Sequence, residues 1–133
     1  MTTFIDSNFI TALVNERDEL HAKALELSER FEGQTFLLTD AILLESGNAL
    51  AKRFRTEVID IIDHFQNSAD VEIVRLDPEI FEAGLDLFKQ HKDKTWGLVD
   101  CISFVVMSER GITEALTFDQ HFIQAGFRAL MRD

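Results

Sequence analysis

The sequence predicts an α/β fold, a mostly parallel sheet of four to five strands sandwiched by helices. Three observations predict it. Short β-prone apolar runs recur at Thr2–Ile5, Phe36–Thr39, Val71–Arg75 and Glu114–Thr117. Stretches of helical periodicity separate them. Strands that alternate with helices pair in parallel and are covered on both faces. Finally, 133 residues with 46% hydrophobic content suffice for one core, and no repeat, linker or low-complexity stretch divides them, so residues 1–133 read as one domain.

Each element has a local reason. Thr2–Ile5 is apolar and stops at Asp6, and Ser7–Val14 follows as a short helix. From Asp18 to Phe31, Leu20, Ala24, Leu27 and Phe31 recur on one helical face, and Gly33 ends the helix. After Phe36–Thr39, Thr39 or Asp40 caps a helix running from Ala41 to about Phe54. Val58, Ile61, Ile62 and Phe65 mark the next helical face. Asp77-Pro78 opens a helix beyond Val71–Arg75, with Phe81, Gly84, Leu85 and Phe88 on one side. Leu98–Arg110 is a helix ended by Gly111, a short helix follows Asp119, and Phe127–Met131 reads as an edge strand.

Thirteen Lys and Arg against 24 Asp and Glu leave a net charge of −11. That excludes a simple basic nucleic-acid glove but not an acidic metal site acting on nucleic acid. Cys101 is the only cysteine, so no intramolecular disulfide forms and a reducing cytoplasm is expected. The opening residues lack a basic segment before an apolar one, which reads against a secretory signal. No apolar run approaches the ~20 residues of a membrane span.

Most acids lie on solvated helix faces, but Asp6, Glu45, Asp100 and Asp119 each interrupt or end an apolar run (TFID, AILLE, WGLVDCISFVV and ALTFD). A carboxylate in such surroundings is costly unless it is paired or binds a cation. The topology brings the four together. Asp6 and Asp119 follow strands, and Asp100 opens the helix leading into the last long strand. That helix spans roughly 16 Å and the strand returns about the same length, so its start and the strand's end share one edge. Glu45, just over a turn into its helix, faces the same edge, which is where open α/β sheets bind ligands. With no basic partner nearby in sequence, the four are expected to share a hard divalent cation, Mg²⁺ or Mn²⁺, of the kind that activates water in phosphodiester hydrolysis.

At these residues the chain resembles PIN-domain ribonucleases, and among them the VapC-like toxins of type II toxin–antitoxin systems. FIDSNFI, LLTDAILLESGNAL, WGLVDCISFVVM and LTFDQHF carry the resemblance, in order and across essentially the whole chain. It implies a PIN fold and Mg²⁺-dependent endonucleolytic cleavage of RNA by a metal-activated water, leaving 3′-hydroxyl and 5′-phosphate ends. Asp6 and Asp100 would be direct metal ligands, with Glu45 and Asp119 completing the pocket. The resemblance also implies an antitoxin that covers the groove, and a homodimer. One departure is visible. Relatives often carry Ser or Thr shortly before the third acid, where this chain has Gly97 and Val99.

Further candidates surround the acids. Ser7 and Asn8 orient Asp6 or a phosphate, or simply cap the next helix. Thr117 either contacts a metal-bound water or phosphate, or is an ordinary strand threonine. Asn48 and Lys52 lie three and seven residues after Glu45 on its helix face, where RNA would meet them together with Arg53 and Arg55. Lys89, Lys92 and Lys94 form a second basic patch. Ser103 lies one turn after Asp100, within reach of a hydrogen bond to it, and Asp40 reads as a cap. Cys101 reads as buried and inert. The four histidines are scattered without metal-ligand spacing, and the twelve Phe read as core. Two other functions compete. One is an aspartate-based phosphatase or phospho-receiver, disfavoured because Asn8 stands where a phosphatase has its second Asp. The other is a non-catalytic protein-binding module whose acids receive a basic partner.

Overall fold

The computed structural model describes all of residues 1–133. Five strands form one sheet: β1 (Thr2–Ile5), β2 (Thr35–Thr39), β3 (Val71–Val74), β4 (Glu114–Leu116) and β5 (Arg128–Ala129). Their order is β3-β2-β1-β4-β5, and every adjacent pair is parallel. The chain therefore winds outward from β1 to β3, then returns to β1's other side for β4 and β5. The direction reverses between β1 and β4, where such sheets open a crevice beyond their strand C-termini.

Helices α1 (Ser7–Val14), α2 (His21–Arg30), α3 (Asp40–Leu50) and α4 (Arg55–Asn67) pack among themselves. Helices α5 (Pro78–Gln90), α6 (Leu98–Glu109) and α7 (Gln120–Gln124) form the second group. One apolar cluster links the layers through Phe4, Ile10, Leu38, Ile42, Met107 and Phe122. The phenylalanines divide between this core and the surface. Phe104 packs edge-on against Phe122 and Trp96, whereas Phe81, Phe88 and Phe118 are exposed.

Several boundaries move from those the sequence predicts. The helix predicted from Asp18 starts at His21, because Asp18 Oδ1 accepts the Leu20 N–H and turns the chain first. The helix predicted to reach Phe54 ends at Leu50. Phe54, at φ −130°, restarts the chain as α4 while packing against the core. No Gly or Pro marks that break. Thr39 rather than Asp40 caps α3, accepting from Ile42 N, while Asp40 Oδ1 accepts from Leu76 N across the sheet end. The predicted edge strand Phe127–Met131 shrinks to β5, and Leu130–Arg132 is a 3₁₀ turn.

Helices α5 and α6 approach closely at Gly84. A Cβ there would stand 2.6 Å from Ile102 Cγ1 and 3.3 Å from its Cα. Gly84→Ala is therefore expected to destabilise the fold by about 1–3 kcal/mol through overpacking, despite alanine's better helix propensity. A urea midpoint equal to or above that of the wild type would contradict this.

Candidate active site

The crevice between β1 and β4 collects the acids. Asp6 follows β1 directly, and its backbone N–H bonds to Leu116 O on β4. It is only 4% exposed. Burial pushes its carboxyl up to about 7, and the charges of Asp100 and Glu45 add to this. The Thr117 hydroxyl and the Ser7 backbone N–H pull the other way. Near neutral pH Asp6 is thus only partly ionised, and positive charge arriving in the pocket would favour its charged form.

Thr117 is fully buried and neither faces solvent nor is an inert strand residue. Its hydroxyl donates to Asp6 Oδ2 at 2.7 Å and accepts from Asp119 N at 3.0 Å, tying two acids together. Thr117→Val keeps the shape but leaves Asp6 without its hydroxyl partner. It is expected to cost about 1–3 kcal/mol, read as a lower urea midpoint. A midpoint shift within error would show that Asp6 does not depend on this bond.

Glu45 is exposed and takes the Ser7 hydroxyl as a donor at 2.5 Å, joining α3 to α1 at the pocket edge. Ser7 therefore orients Glu45 as well as supplying its N–H to Asp6. Asn8 has a different role, accepting the Phe118 N–H at 3.3 Å and bracing the turn after β4. Asp100 occupies the first turn of α6, where its Oδ2 accepts the Gly97 N–H at 2.9 Å. The position where relatives carry Ser or Thr here supplies a backbone donor instead. Ser103 does not reach Asp100, because its hydroxyl donates to Val99 O within the helix. Asp119 caps α7 by accepting His121 N at 2.9 Å, so it is both a cap and a member of the acidic cluster. Asn48 and Lys52 are exposed on and just beyond α3 and form no hydrogen bond or ion pair with the four acids. Cys101 is buried, with its thiol pushed up by burial and by the Asp100 charge.

One residue of the site escapes sequence reasoning. His121 places Nδ1 at 3.1 Å from Asp100 Oδ2 and 3.3 Å from Asp119 Oδ1. Both neighbours are carboxylate oxygens, and the Thr95 hydroxyl meets Nε2 at 3.0 Å. Asp100, Asp119 and His121 bring their ligand atoms within 4.8 Å of one another. The signal lay in LTFDQHF, since a residue two beyond a helix cap turns back toward it.

The donor set fits a divalent cation. Asp100, Asp119 and His121 offer two carboxylates with hard oxygen ligands and one imidazole, and beside them the buried carboxyl of Asp6, held up near 7, gains most from a nearby positive charge. No Lys or Arg forms an ion pair with any of the four acids; His121 is the basic neighbour of Asp100 and Asp119.

A sheet of this order with acids at its reversal point defines an α/β protein with an acidic, cation-binding type of site, and comparison identifies the family. Residues 3–128 match the PIN domain, and the chain belongs to the PIN-domain family. It is homologous to the 23S rRNA-specific endonuclease VapC20 of Mycobacterium tuberculosis. The identity is 27% over 124 residues, covering 93% of this chain and 94% of the relative, for the sequences from strains CDC 1551 / Oshkosh and H37Rv alike. The crystal structure of M. tuberculosis VapC20, described as a sarcin–ricin loop cleaving toxin, superposes with a TM-score of 0.84. It covers 96% of both chains at 24% identity, which shows the shared fold.

Proposed function

We propose that the protein is a divalent-cation-dependent endoribonuclease and the toxin of a toxin–antitoxin pair. The observation that carries this is the meeting of acids from β1, α6 and the end of β4 at the sheet's reversal point, in a PIN-family chain. Asp6 and Asp100 would hold the cation directly, with Glu45 and Asp119 completing the pocket. A bound Mg²⁺, or Mn²⁺ in its place, supplies charge neutralisation and an activated water for phosphodiester hydrolysis. The chain's own residues set the stage for it. Thr117 and the Ser7 N–H hold Asp6, the Ser7 hydroxyl orients Glu45, and the Gly97 N–H holds Asp100. Asn48 and Lys52 would meet RNA beside the acids. Ribosomal RNA is the substrate class favoured by the relative's name.

We place the enzyme in the cytoplasm, where its RNA substrate is; no helix is long and apolar enough to cross a membrane. An antitoxin would cover the acidic pocket, and an apolar groove of about 520 Å³ between the α1–α2 and α4 layers, where Phe9, Leu13, Ile61 and Phe65 lie beside Glu29 and Glu32, offers it a second contact. The acidic rim suits a basic segment of the partner. A homodimer would cover Phe81 and Phe88, exposed two turns apart on α5. Light scattering on the purified chain checks that, with a monomeric mass counting against it.

The test of activity is incubation of the purified protein with ribosomal RNA and total cellular RNA, with Mg²⁺, Mn²⁺ or EDTA. Discrete fragments with 5′-phosphate ends, formed with metal and abolished by EDTA, are expected. Intact RNA in every lane, with folded protein, would overturn the proposal.

A further inference from the structure

We infer that the groove between the C-terminal ends of α1 and α3 is a track for the RNA backbone leading away from the acidic pocket, with Arg17, Lys52 and Arg53 as its phosphate contacts. The inference rests on the nuclease reading and extends it to where the substrate lies.

The groove is an open cavity of about 820 Å³ whose lining includes Thr11, Ala49, Arg17, Lys52 and Arg53. It continues from the acidic pocket. Ser7 and Glu45 bond to each other at the pocket edge, and Thr11 and Ala49 each lie four residues further along the same two helices. One helical turn, about 5.4 Å, therefore separates the last acid from the head of the groove. Lys52 follows in the turn that ends α3 and lines the same groove. The track is short enough that nucleotides adjoining the scissile one would reach it.

The distribution of positive charge favours the same place. Of the thirteen Lys and Arg, Lys23, Arg30, Lys94, Arg110 and Arg128 pair with carboxylates. Arg132 lies over the Phe118 ring and bonds its carbonyl. Among the cations left without such partners, Arg17, Lys52 and Arg53 converge on this groove, and all three are exposed. Glu16 and Glu57 also line it, so the local excess is small, yet it stands against −11 for the whole chain. Asn15 Oδ1 accepts the Arg17 N–H at 3.0 Å and fixes the turn that presents Arg17. Cations at helix C-termini also complement the helix dipoles, and that role alone would leave RNA binding unaffected by their removal. A polyanion that must approach an acidic protein needs positive ground beside the site, because phosphate contacts supply most of the affinity and the orientation.

The experiment measures binding of a fluorescent RNA stem–loop with the 23S rRNA sarcin–ricin sequence to the cleavage-silent Asp100→Asn protein, across a salt series. The combined Arg17→Gln, Lys52→Gln and Arg53→Gln variant is compared with a Lys23→Gln, Arg30→Gln control on α2, both in that background. Loss of three phosphate contacts should weaken binding on the order of tenfold or more and reduce the slope of log K against log salt by about 2. The control should change neither. Lys52→Glu alone serves as a second, smaller perturbation, and urea midpoints verify folding. Equal affinity and slope in the two combined variants would overturn the track. So would an effect confined to an acidic peptide probe, which would make the groove a protein-docking site. Wild-type cleavage of the same RNA and of total cellular RNA, run in parallel, separates the two failures. Cleavage without a groove effect overturns the track alone, whereas no cleavage overturns the nuclease reading and the track with it.

Discussion

An Asp6→Asn protein, stripped of divalent cations, is expected to be more stable than wild type above pH 7 while losing RNA cleavage. The carboxyl moves from 3.8 to about 7 on folding, chiefly through burial. About three pKa units correspond to roughly 4 kcal/mol. The sign follows from proton binding. Between about pH 4 and 7 the folded protein keeps a proton on Asp6 that the unfolded chain has lost, so stability falls as pH rises through that window. Asparagine accepts the same Thr117 hydroxyl without an ionisation to oppose. The quantity to measure is the difference between wild-type and variant urea stability in EDTA, at about pH 5 and about pH 8, since other carboxylates cancel in it. It should be much larger at the higher pH, and Mg²⁺ should recover part of the wild-type deficit there. A difference that does not change with pH would mean that Asp6 is not held up by its surroundings.

The second large effect is on the reaction. Asp100→Asn should lower cleavage by on the order of 10³-fold, the equivalent of several kcal/mol of lost charge stabilisation. The fold should survive, because the amide oxygen can still accept the Gly97 N–H that Asp100 Oδ2 accepts now. Calorimetric titration with Mn²⁺ gives an independent readout, and the variant's affinity should fall together with its activity. Undiminished cleavage would remove Asp100 from the site. Loss of cleavage with unchanged metal affinity would move its role from cation to substrate.

Much of this site was legible in one dimension. Asp6, Glu45, Asp100 and Asp119 stand out because an acid at the end of an apolar run has few bland explanations. Helix and strand lengths were enough to carry them to one edge. The roles of the residues around them were less legible. Thr117 sits 111 residues from Asp6 in sequence, and its bond to that carboxylate depends on β1 and β4 being neighbours. His121 meets Asp100 across 21 residues because α6 and α7 start side by side at the same crevice. Ser103, one turn from Asp100, looked close along the helix, but its hydroxyl found the nearer backbone carbonyl of Val99.

The sequence by itself determined the alternation of elements, the apolar faces, the acids and the parallel sense of the sheet, since each is written in local periodicity and in the length of the connections. Strand order, the break at Phe54, the His121 contact and the convergence of Arg17 with Lys52 and Arg53 were decided only by the tertiary structure. Each of these depends on which distant segments pack together, and that is settled by how the whole core closes.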